Sequence, residues 1–525
     1  MTGTPQALPT GKWWTLVAVC TGVFMLLLDI TIVNVALPDI QGDLDASLAD
    51  LQWVIDAYAL SLAALLLTAG SLADLYGRRL VFVIGTILFT LGSILCGAAP
   101  TIDFLTFARA AQGIGGAAMF ATALALLGTA YVGRDRGVAF GAFGATTGVA
   151  VAIGPVLGGV LVSGLNWRWI FFVNLPICLV ALAITITQVR ESHDPRAGRP
   201  DWVGFITFTL GLGTLVYGLI EAGRTSWGDS TVVTSFVVSV VMLVAFVVAQ
   251  LVQEHPMFDL GLLRKPTFTG GLIAAFGISA SVFSMLTYLV IYLQNVLGYS
   301  AVETGVRVLV LSGAIFVASA VAGRLTGHVS ARWLIGPGFV VLGVGLVLLT
   351  GIEPDSSWTH LVPGLIVCGV GIGLINPPLA STAVGVVSRD RAGMASGVNS
   401  TFRQVGIATG IATLGTIFSH QVADAITSKL AGTPAAAQSD RVAEAVTGGR
   451  IDAVLEAAPA GVRPTIADAS VSSFVDSLNH IGLVAAAIAF AAGMLCLVLI
   501  REKDFIGEPA PQQPTTENVE LPART

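Results

Sequence analysis

Long apolar segments recur along the whole chain, separated by mostly short polar stretches. A helix needs about 20 predominantly apolar residues to cross the hydrocarbon core of a membrane, and fourteen segments come close to or exceed that length. The predicted spans are 13–37, 51–72, 80–98, 104–131, 137–163, 169–189, 202–221, 231–253, 267–295, 302–326, 333–351, 359–386, 394–419 and 479–500. The pattern predicts an all-α polytopic membrane protein.

The distribution of positive charge among the loops predicts the orientation. With the N-terminus placed inside the cell, inner segments carry most of the arginines, and the short outer loops carry only Arg168 and Arg224. Short cytoplasmic loops are enriched in Lys and Arg, so we expect both termini to be cytoplasmic. An odd number of spans would break this asymmetry.

The two halves of the chain resemble each other. The sequence Arg-Asp-Arg at 134–136 recurs at 389–391, an offset of 255, and Gly70 recurs as Gly323, an offset of 253. Parallel six-span repeats are a known transporter architecture; six plus six leaves two central spans without a counterpart. The predicted units are an N-terminal six-helix bundle (1–189), two extra central helices with flanking cytoplasmic loops (190–266), a C-terminal six-helix bundle (267–500) and a disordered cytoplasmic tail (501–525).

One predicted outer segment, 419–478, is far longer than the other loops. Its apolar residues follow helical spacing, for example at Val442, Ala445 and Val446. We therefore expect an amphipathic helix over the outer face.

The turn 70–79 (GSLADLYGRR) joins the second and third predicted spans. Asp74 can accept hydrogen bonds from backbone N–H groups at a helix start and pair with either arginine, which would form a latch that breaks as the halves move. The alternative is a plain orientation signal; the acid and the two glycines favour the latch. In the second copy, Gly327 stands where Asp74 would recur. The predicted cytoplasmic gate is Gly70, Asp74, Gly77, Arg78 and Arg79.

Three charged residues lie inside predicted spans: Asp29, Asp56 and Arg109. Charges inside a membrane are costly and mark functional sites by default. From the helical rise of 1.5 Å per residue, all three could meet in one layer of the N-terminal half and form a proton site. The alternative is a fixed ion-pair network that only holds helices together.

The fifth span is rich in small residues, and Gly154-Pro155 predicts a kink. We assign Gly154, Pro155, Gly158 and Gly159 to a hinge, with a tight helix-packing face as the alternative. In the thirteenth span, a pairing of Arg403 with Glu303 is conceivable, but a structural hydrogen bond is the preferred interpretation.

Composition excludes several other classes. Hydrophobic residues make up 54% of the chain and charged residues 11%, against about 25% charged in soluble proteins. We expect no nucleic-acid partner, no ATP and no cofactor, since no P-loop occurs, and the five cysteines fit no metal template. Energy would then come from an ion gradient, and we predict a non-enzyme.

These motifs resemble, in type and order, those of the fourteen-span drug:proton antiporters of the major facilitator superfamily. The segments that carry the resemblance are Leu28–Pro38 (LDITIVNVALP), Gly70–Arg79, Arg109–Gly115 (RAAQGIG), Gly154–Gly159 (GPVLGG) and Trp167–Ile177 (WRWIFFVNLPI). The resemblance implies proton-driven export of drugs or antibiotics by alternating access. By position, it gives Asp29, Asp56 and Arg109 roles in proton coupling or substrate contact.

The sequence therefore predicts a bacterial inner-membrane exporter, expected as a monomer, whose partners are lipid, protons and an amphipathic small molecule. Alternatives are an exporter of one endogenous metabolite (antibiotic, siderophore, amino acid or lipid), a nutrient importer, or a non-transporting scaffold. Polar or aromatic character inside spans suggests the substrate-binding residues Asn34, Tyr58, Gln112, Phe143, Tyr288, Tyr292, Gln294, Asn376, Phe402 and Arg403.

Overall fold

The computed structural model describes residues 12–131, 133–194, 199–326, 328–448 and 451–505, and within them the chain is helical, with no strand. The α-helices are α1 Lys12–Leu44, α2 Leu48–Tyr76, α3 Arg78–Gly97, α4 Ile102–Ala130, α5 Gly133–Gly164, α6 Trp169–Phe172, α7 Asn174–Gln188, α8 Trp202–Arg224, α9 Ser230–Val252, α10 Pro266–Ile291, α11 Ala301–Leu325, α12 Arg332–Leu348, α13 Leu361–Gly385, α14 Ala392–Leu430, α15 Ser439–Thr447, α16 Ile451–Ala457 and α17 Arg463–Leu499. A π-helical turn, Tyr292–Val296, continues α10.

Each predicted span falls on one of these helices, except that 169–189 is divided between α6 and α7. In the part of the chain that the structure describes, eleven helices are long and apolar enough to cross a membrane. The helix α12 is apolar but only 17 residues long, while α14 is less apolar because polar residues are frequent in it.

Two apolar cores organise the helices. The helices α1–α7 pack around a core that contains Leu26, Phe82 and Phe89, and α10–α14 with α17 pack around a core that contains Phe339, Leu342 and others. The two sets meet along two seams, α2 against α14 and α5 against α11. We call the end of the molecule at the α2–α3 turn the latch end.

Glycines allow the backbones to touch at both seams. At the α2–α14 seam, a Cβ on Gly70 would overlap the Gly393 carbonyl oxygen. At the α5–α11 seam, a Cβ on Gly323 would lie 2.6 Å from the Gly137 carbonyl oxygen and 2.7 Å from the Gly141 Cα. Since Gly323 is the repeat counterpart of Gly70, the two seams are equivalent crossings.

The helix α8 lies beside the α2–α14 seam and contacts both helices. Toward α2, the Thr68 and Thr209 hydroxyls lie 3.2 Å apart, and Trp53 stacks on Tyr217 at 5.9 Å. In the loop that follows α8, Trp227 Nε1 donates to Thr416 Oγ1 of α14 at 2.8 Å. The helix α9 packs outside α8 and leaves many apolar side chains exposed.

A buried polar cluster fixes the α8–α9 pair. The Asp201 carboxylate accepts from Gly204 N (2.6 Å), from Gln250 Nε2 (2.7 Å) and from Met257 N (3.2 Å). The Met257 carbonyl in turn accepts from Ser71 Oγ of α2 at 3.3 Å. The segment after α9 is thereby fastened to the latch end of the α2–α14 seam.

The predicted outer loop 419–478 is largely helical. The helix α14 continues to Leu430 and α17 begins at Arg463, so two predicted spans extend well into the segment, with α15 and α16 between them. The predicted apolar spacing is found in α15, where Val442 and Val446 are buried in the core of the second half.

The polar tail begins later than expected. Residues 501–505 are ordered, because the Asp504 carboxylate accepts from Thr267 N and Oγ1 at the start of α10, at 3.2 and 2.8 Å. The rest of the predicted disordered tail lies outside the described residues, as does Gly327, the repeat counterpart of Asp74.

We expect Gly70→Ala to destabilise the protein by about 1–3 kcal/mol, the usual cost of overpacking, because the new methyl group meets backbone atoms of α14. The matched control is Gly223→Ala in α8, where a Cβ would have no neighbour within 4 Å. Differential scanning fluorimetry of the purified proteins compares the two. Equal melting temperatures would contradict the seam as described.

Candidate functional site

The centre of the first half holds a fully buried ion pair. Arg109 Nη1 of α4 lies 2.5 Å from Asp29 Oδ2 of α1, with side-chain exposures of 1% and 0%. The two side chains are in direct contact, and the sequence predicted that Asp29 and Arg109 would lie close together. Such a pair is costly to bury and stable only when its remaining polar atoms are satisfied.

Three further side chains complete the pair. Asp29 Oδ1 accepts from Gln112 Nε2 and from Asn174 Nδ2, both at 2.9 Å. Both amides also donate to Ser93 Oγ of α3, at 2.8 and 3.1 Å. The Asp29 cluster, which we define as Asp29, Ser93, Arg109, Gln112 and Asn174, therefore joins α1, α3, α4 and α7.

Arg109 has other partners besides the carboxylate. Its Nε donates to the Val54 carbonyl at 3.2 Å and its Nη1 to Gln112 Oε1 at 2.6 Å. The guanidinium also lies 4.2 Å from the centre of the Tyr58 ring, a distance suited to cation–π attraction. Arg109 is therefore held by neutral partners as well as by the Asp29 carboxylate.

Asp56 lies in a different pair from the one expected. Its carboxylate contacts Arg224 of α8, and that arginine also approaches Glu221 Oε2 at 3.8 Å. The Asp56 and Arg224 side chains are 21% and 17% exposed. The expectation that Asp56 would meet Arg109 overlooked α8, whose end supplies a base beside α2.

The turn at the latch end ties the two halves together. Asp74 Oδ1 accepts from Gly393 N at 2.8 Å and Asp74 Oδ2 from Met394 N at 2.7 Å, both in the first turn of α14. The N-cap residue of α14, Arg391, makes no side-chain cap. Asp74 therefore caps this helix from the opposite half, where a negative charge is favoured by the helix dipole.

Arg78 completes the latch, which we define as Asp74, Arg78 and the α14 start. Its Nε and Nη2 donate to Asp74 Oδ1 at 3.0 and 2.6 Å. Its Nη2 also donates to the backbone carbonyls of Arg389 and Asp390 at 2.7 and 2.8 Å. Both side chains are buried, so the contact is shielded from solvent screening.

The neighbouring residues of the predicted gate shape the turn. Gly77 has φ of +121°, a backbone angle that side chains rarely adopt. After it, the Glu191 carboxylate accepts from Arg79 N and Leu80 N, both at 3.0 Å, and thus caps α3. The segment that follows α7 is therefore fastened to the turn at the start of α3.

The predicted hinge glycines lie where α5 crosses other helices. A Cβ on Gly158 would lie 3.0 Å from Ile32 Cγ1, one on Gly154 would overlap the Thr31 hydroxyl of α1, and one on Gly159 would overlap Val302 of α11. The backbone of Pro155 continues the helix, and its side chain lies outside the described part. This geometry supports close helix packing; a hinge motion stays a prediction.

The ten proposed substrate residues lie in different surroundings. Tyr58 and Gln112 lie at the Asp29 cluster, Tyr292 is buried in the second core, and Tyr288 packs on Phe418 at 4.7 Å. Arg403 Nη2 donates to Asn376 Oδ1 at 3.0 Å, a hydrogen bond of the structural kind preferred from the sequence. Glu303 instead closes a capping box with Ser300.

The other four candidates differ in exposure, and their role in binding substrate stays a prediction. Phe143 is buried at 7% exposure, whereas Phe402 is exposed at 37%. Asn34 is exposed, and Gln294 is partly buried in the π-helical turn.

Sequence reasoning missed Ser93, Asn174, Arg224 and Glu191. Asn174 lies in the recognised segment Trp167–Ile177 and is polar among apolar neighbours, which was an available signal. Arg224 was counted only as loop charge, because the predicted span ended three residues before it.

Comparison with known proteins gives consistent results. Residues 19–411 match the family model described as Major Facilitator Superfamily. The chain is 40% identical over 77% of its length to the multidrug resistance protein Stp of Mycobacterium tuberculosis, of which 75% is covered. It is 30% identical over 99% of its length to the tetracenomycin C resistance and export protein of Streptomyces glaucescens, of which 97% is covered.

A third relative and one solved structure extend the comparison. The puromycin resistance protein pur8 of Streptomyces alboniger is 39% identical over 77% of this chain and 82% of its own. The crystal structure of the human organic anion transporter MFSD10 (TETRAN) superposes with a TM-score of 0.62 at 13% identity, covering 94% of this chain and all of the other. That structural similarity shows a shared fold.

We expect Asn174→Ala to lower stability by about 1.5–3 kcal/mol, the usual worth of a hydrogen bond to a charged group, because a buried oxygen of Asp29 loses a donor. Asn34→Ala is the matched control, since Asn34 is exposed on α1 and its side-chain donor lies 3.5 Å from the Ile30 carbonyl. The readout is the fraction of monodisperse protein that survives heating. If both variants survive equally, Asn174 does not support the cluster.

Proposed function

The chain belongs to the major facilitator superfamily, and from this membership we propose that it is a proton-coupled antiporter that exports amphipathic drug-like compounds or antibiotics by alternating access. The names of its relatives support the substrate class: multidrug resistance, puromycin resistance, and tetracenomycin C resistance and export. The observation that carries the proposal is the fully buried Asp29–Arg109 pair inside a membrane protein.

The proton-coupling proposal follows from the chemistry of that pair. A buried carboxylate is neutralised by a proton more readily than a buried arginine is deprotonated. Protonation of Asp29 would remove the ion pair, and Arg109 would retain the Val54 carbonyl, Gln112 Oε1 and the Tyr58 ring. Protonation would thus take away the counter-ion of Arg109 but leave its other hydrogen bonds, and a change of that kind can bias a conformational equilibrium.

Asp56 is proposed as a second proton group, nearer to water. It shares Arg224 with Glu221, and all three side chains are partly exposed. Because two carboxylates share one guanidinium, the single positive charge of Arg224 cannot neutralise both negative charges. We assign this trio to proton exchange with the side of the membrane opposite the latch.

For topology we propose fourteen spans, with α6 and α7 as one, and with the latch end and both termini in the cytoplasm of a bacterial cell. Arginines concentrate at the latch end, as cytoplasmic loops require. The 1–189 and 267–500 units would rock against each other, and α8 and α9 would move with the first, to which α8 is joined by its ion pair. We propose a monomer that uses the proton gradient and needs no bound cofactor.

Export of one dedicated compound is the second candidate function. It is favoured by the tetracenomycin C resistance and export protein, which matches nearly the whole length of both chains. A substrate panel separates the two: a broad exporter moves puromycin, tetracenomycin C and ethidium, whereas a dedicated one moves at most one of them.

In proteoliposomes with an acidic lumen, we expect wild-type protein to accumulate puromycin or ethidium. Asp29→Asn should abolish this accumulation, to the level of protein-free liposomes, while it keeps counterflow of preloaded drug, because substrate exchange needs no proton. The control is Asp103→Asn, an exposed acid in the first turn of α4.

Retention of pH-driven accumulation in Asp29→Asn combined with Asp56→Asn would refute proton coupling through these acids. Absence of any drug movement by the wild-type protein would refute the exporter itself.

A further inference from the structure

A groove on the outside of the bundle is unrelated to the sites described above. It lies between α1, α5 and α11 and has a volume of about 610 Å³. Its walls include Cys20, Phe24, Val138 and Phe316. Because Val138 and Phe316 are 43% and 50% exposed on membrane helices, the groove opens toward lipid.

The length of the groove matches one leaflet of a membrane. Along α5 it extends from Val138 to Val149, which at 1.5 Å per residue is about 16 Å. The hydrocarbon core of a bilayer is about 30 Å thick, so the groove covers about half of it. It runs from the latch end to the middle of the membrane.

Charge is placed at one end only. Arg324, in the last turn of α11, is the single charged residue among the described residues that line the groove, and it is exposed. The remaining lining is apolar apart from Cys20 and two threonines, of which Thr146 donates to the Ala142 carbonyl at 2.9 Å. An apolar slot with a cation at the headgroup level fits an anionic phospholipid.

The groove also marks a difference between the two equivalent seams. Arg324 is the repeat counterpart of Ser71, at the offset of 253 that relates Gly323 to Gly70. Ser71 bonds to Met257 in the segment after α9, so protein covers its seam. Arg324 instead faces the open groove beside the α5–α11 seam.

We propose that an anionic phospholipid of the leaflet at the latch end occupies this groove, with one acyl chain along α5 and its headgroup at Arg324. The assignment to the cytoplasmic leaflet rests on the orientation proposed above. Since α5 and α11 belong to different halves, separation of the seam would divide the walls. The lipid therefore binds the closed seam better and stabilises it.

The test uses the full chain in nanodiscs that contain equal amounts of phosphatidylglycerol and phosphatidylethanolamine. Photoactivatable benzoylphenylalanine replaces Phe316, and mass spectrometry identifies the cross-linked lipids. We expect phosphatidylglycerol adducts to exceed phosphatidylethanolamine adducts about fivefold, the preference that one basic residue gives near a membrane surface. The same probe at Val244, an exposed residue of α9 outside the groove lining, should give nearly equal amounts.

Arg324→Gln should abolish the preference at position 316, and Arg324→Lys should keep it. An even ratio at 316 in the wild-type protein, an equal preference at 244, or no change in Arg324→Gln would overturn the proposal. The readout does not involve transport or orientation. A chain that moves no drug but shows the preference would refute the proposed function and leave the lipid site, whereas normal export with an even ratio would do the reverse.

Discussion

The structure depends on one carboxylate that belongs to one half and caps a helix of the other. Asp74 accepts two backbone N–H groups at the start of α14, while Arg78 neutralises it and grips the carbonyls just before that helix. Hydrogen bonds to charged groups contribute about 1.5–3 kcal/mol each. The Asp74 and Arg78 side chains and the Gly393 and Met394 backbone donors are buried, so water competes weakly for these hydrogen bonds.

The repeat makes this contact informative, since its counterpart lacks the acid. Both seams bring glycine backbones together, but in the described residues a capping carboxylate and a flanking protein element, α8 with the segment after α9, are found at the α2–α14 seam. The α5–α11 seam relies on small-residue packing and borders the lipid-facing groove. The helix α8 and the segment after α9 therefore lie along the α2–α14 seam, which makes the two sides of the molecule different.

Local patterns carried most of what the sequence predicted. The spans could be predicted from the length of the apolar segments. The ion pair of the latch could be predicted as well, because Asp74 and Arg78 are four residues apart in one turn. The partners of Asp74 in the other half, Gly393 N and Met394 N, could not be predicted, because backbone donors have no sequence signature.

Asp56 shows the same limit. Its partner Arg224 lies 168 residues away, and nothing in the sequence pattern links α2 to α8. Asn174 differs from both, because its segment offered a signal, a polar residue among apolar neighbours, but nothing in that signal identified Asp29 as its partner.

The latch is tested most directly by pulsed electron–electron double resonance, which measures the distance between two spin labels. The labels are placed at Tyr76 and Ser388, two exposed positions on either side of the latch, in protein whose half-buried Cys20 is replaced by Ala. Wild-type protein should give one short, narrow distance distribution. Asp74→Asn should add a longer population, and the matched variant Asp390→Asn, which loses the same charge but contributes only its backbone carbonyl to the latch, should not. If Asp74→Asn leaves the distribution unchanged, or if Asp390→Asn widens it equally, the two halves are not held by this carboxylate.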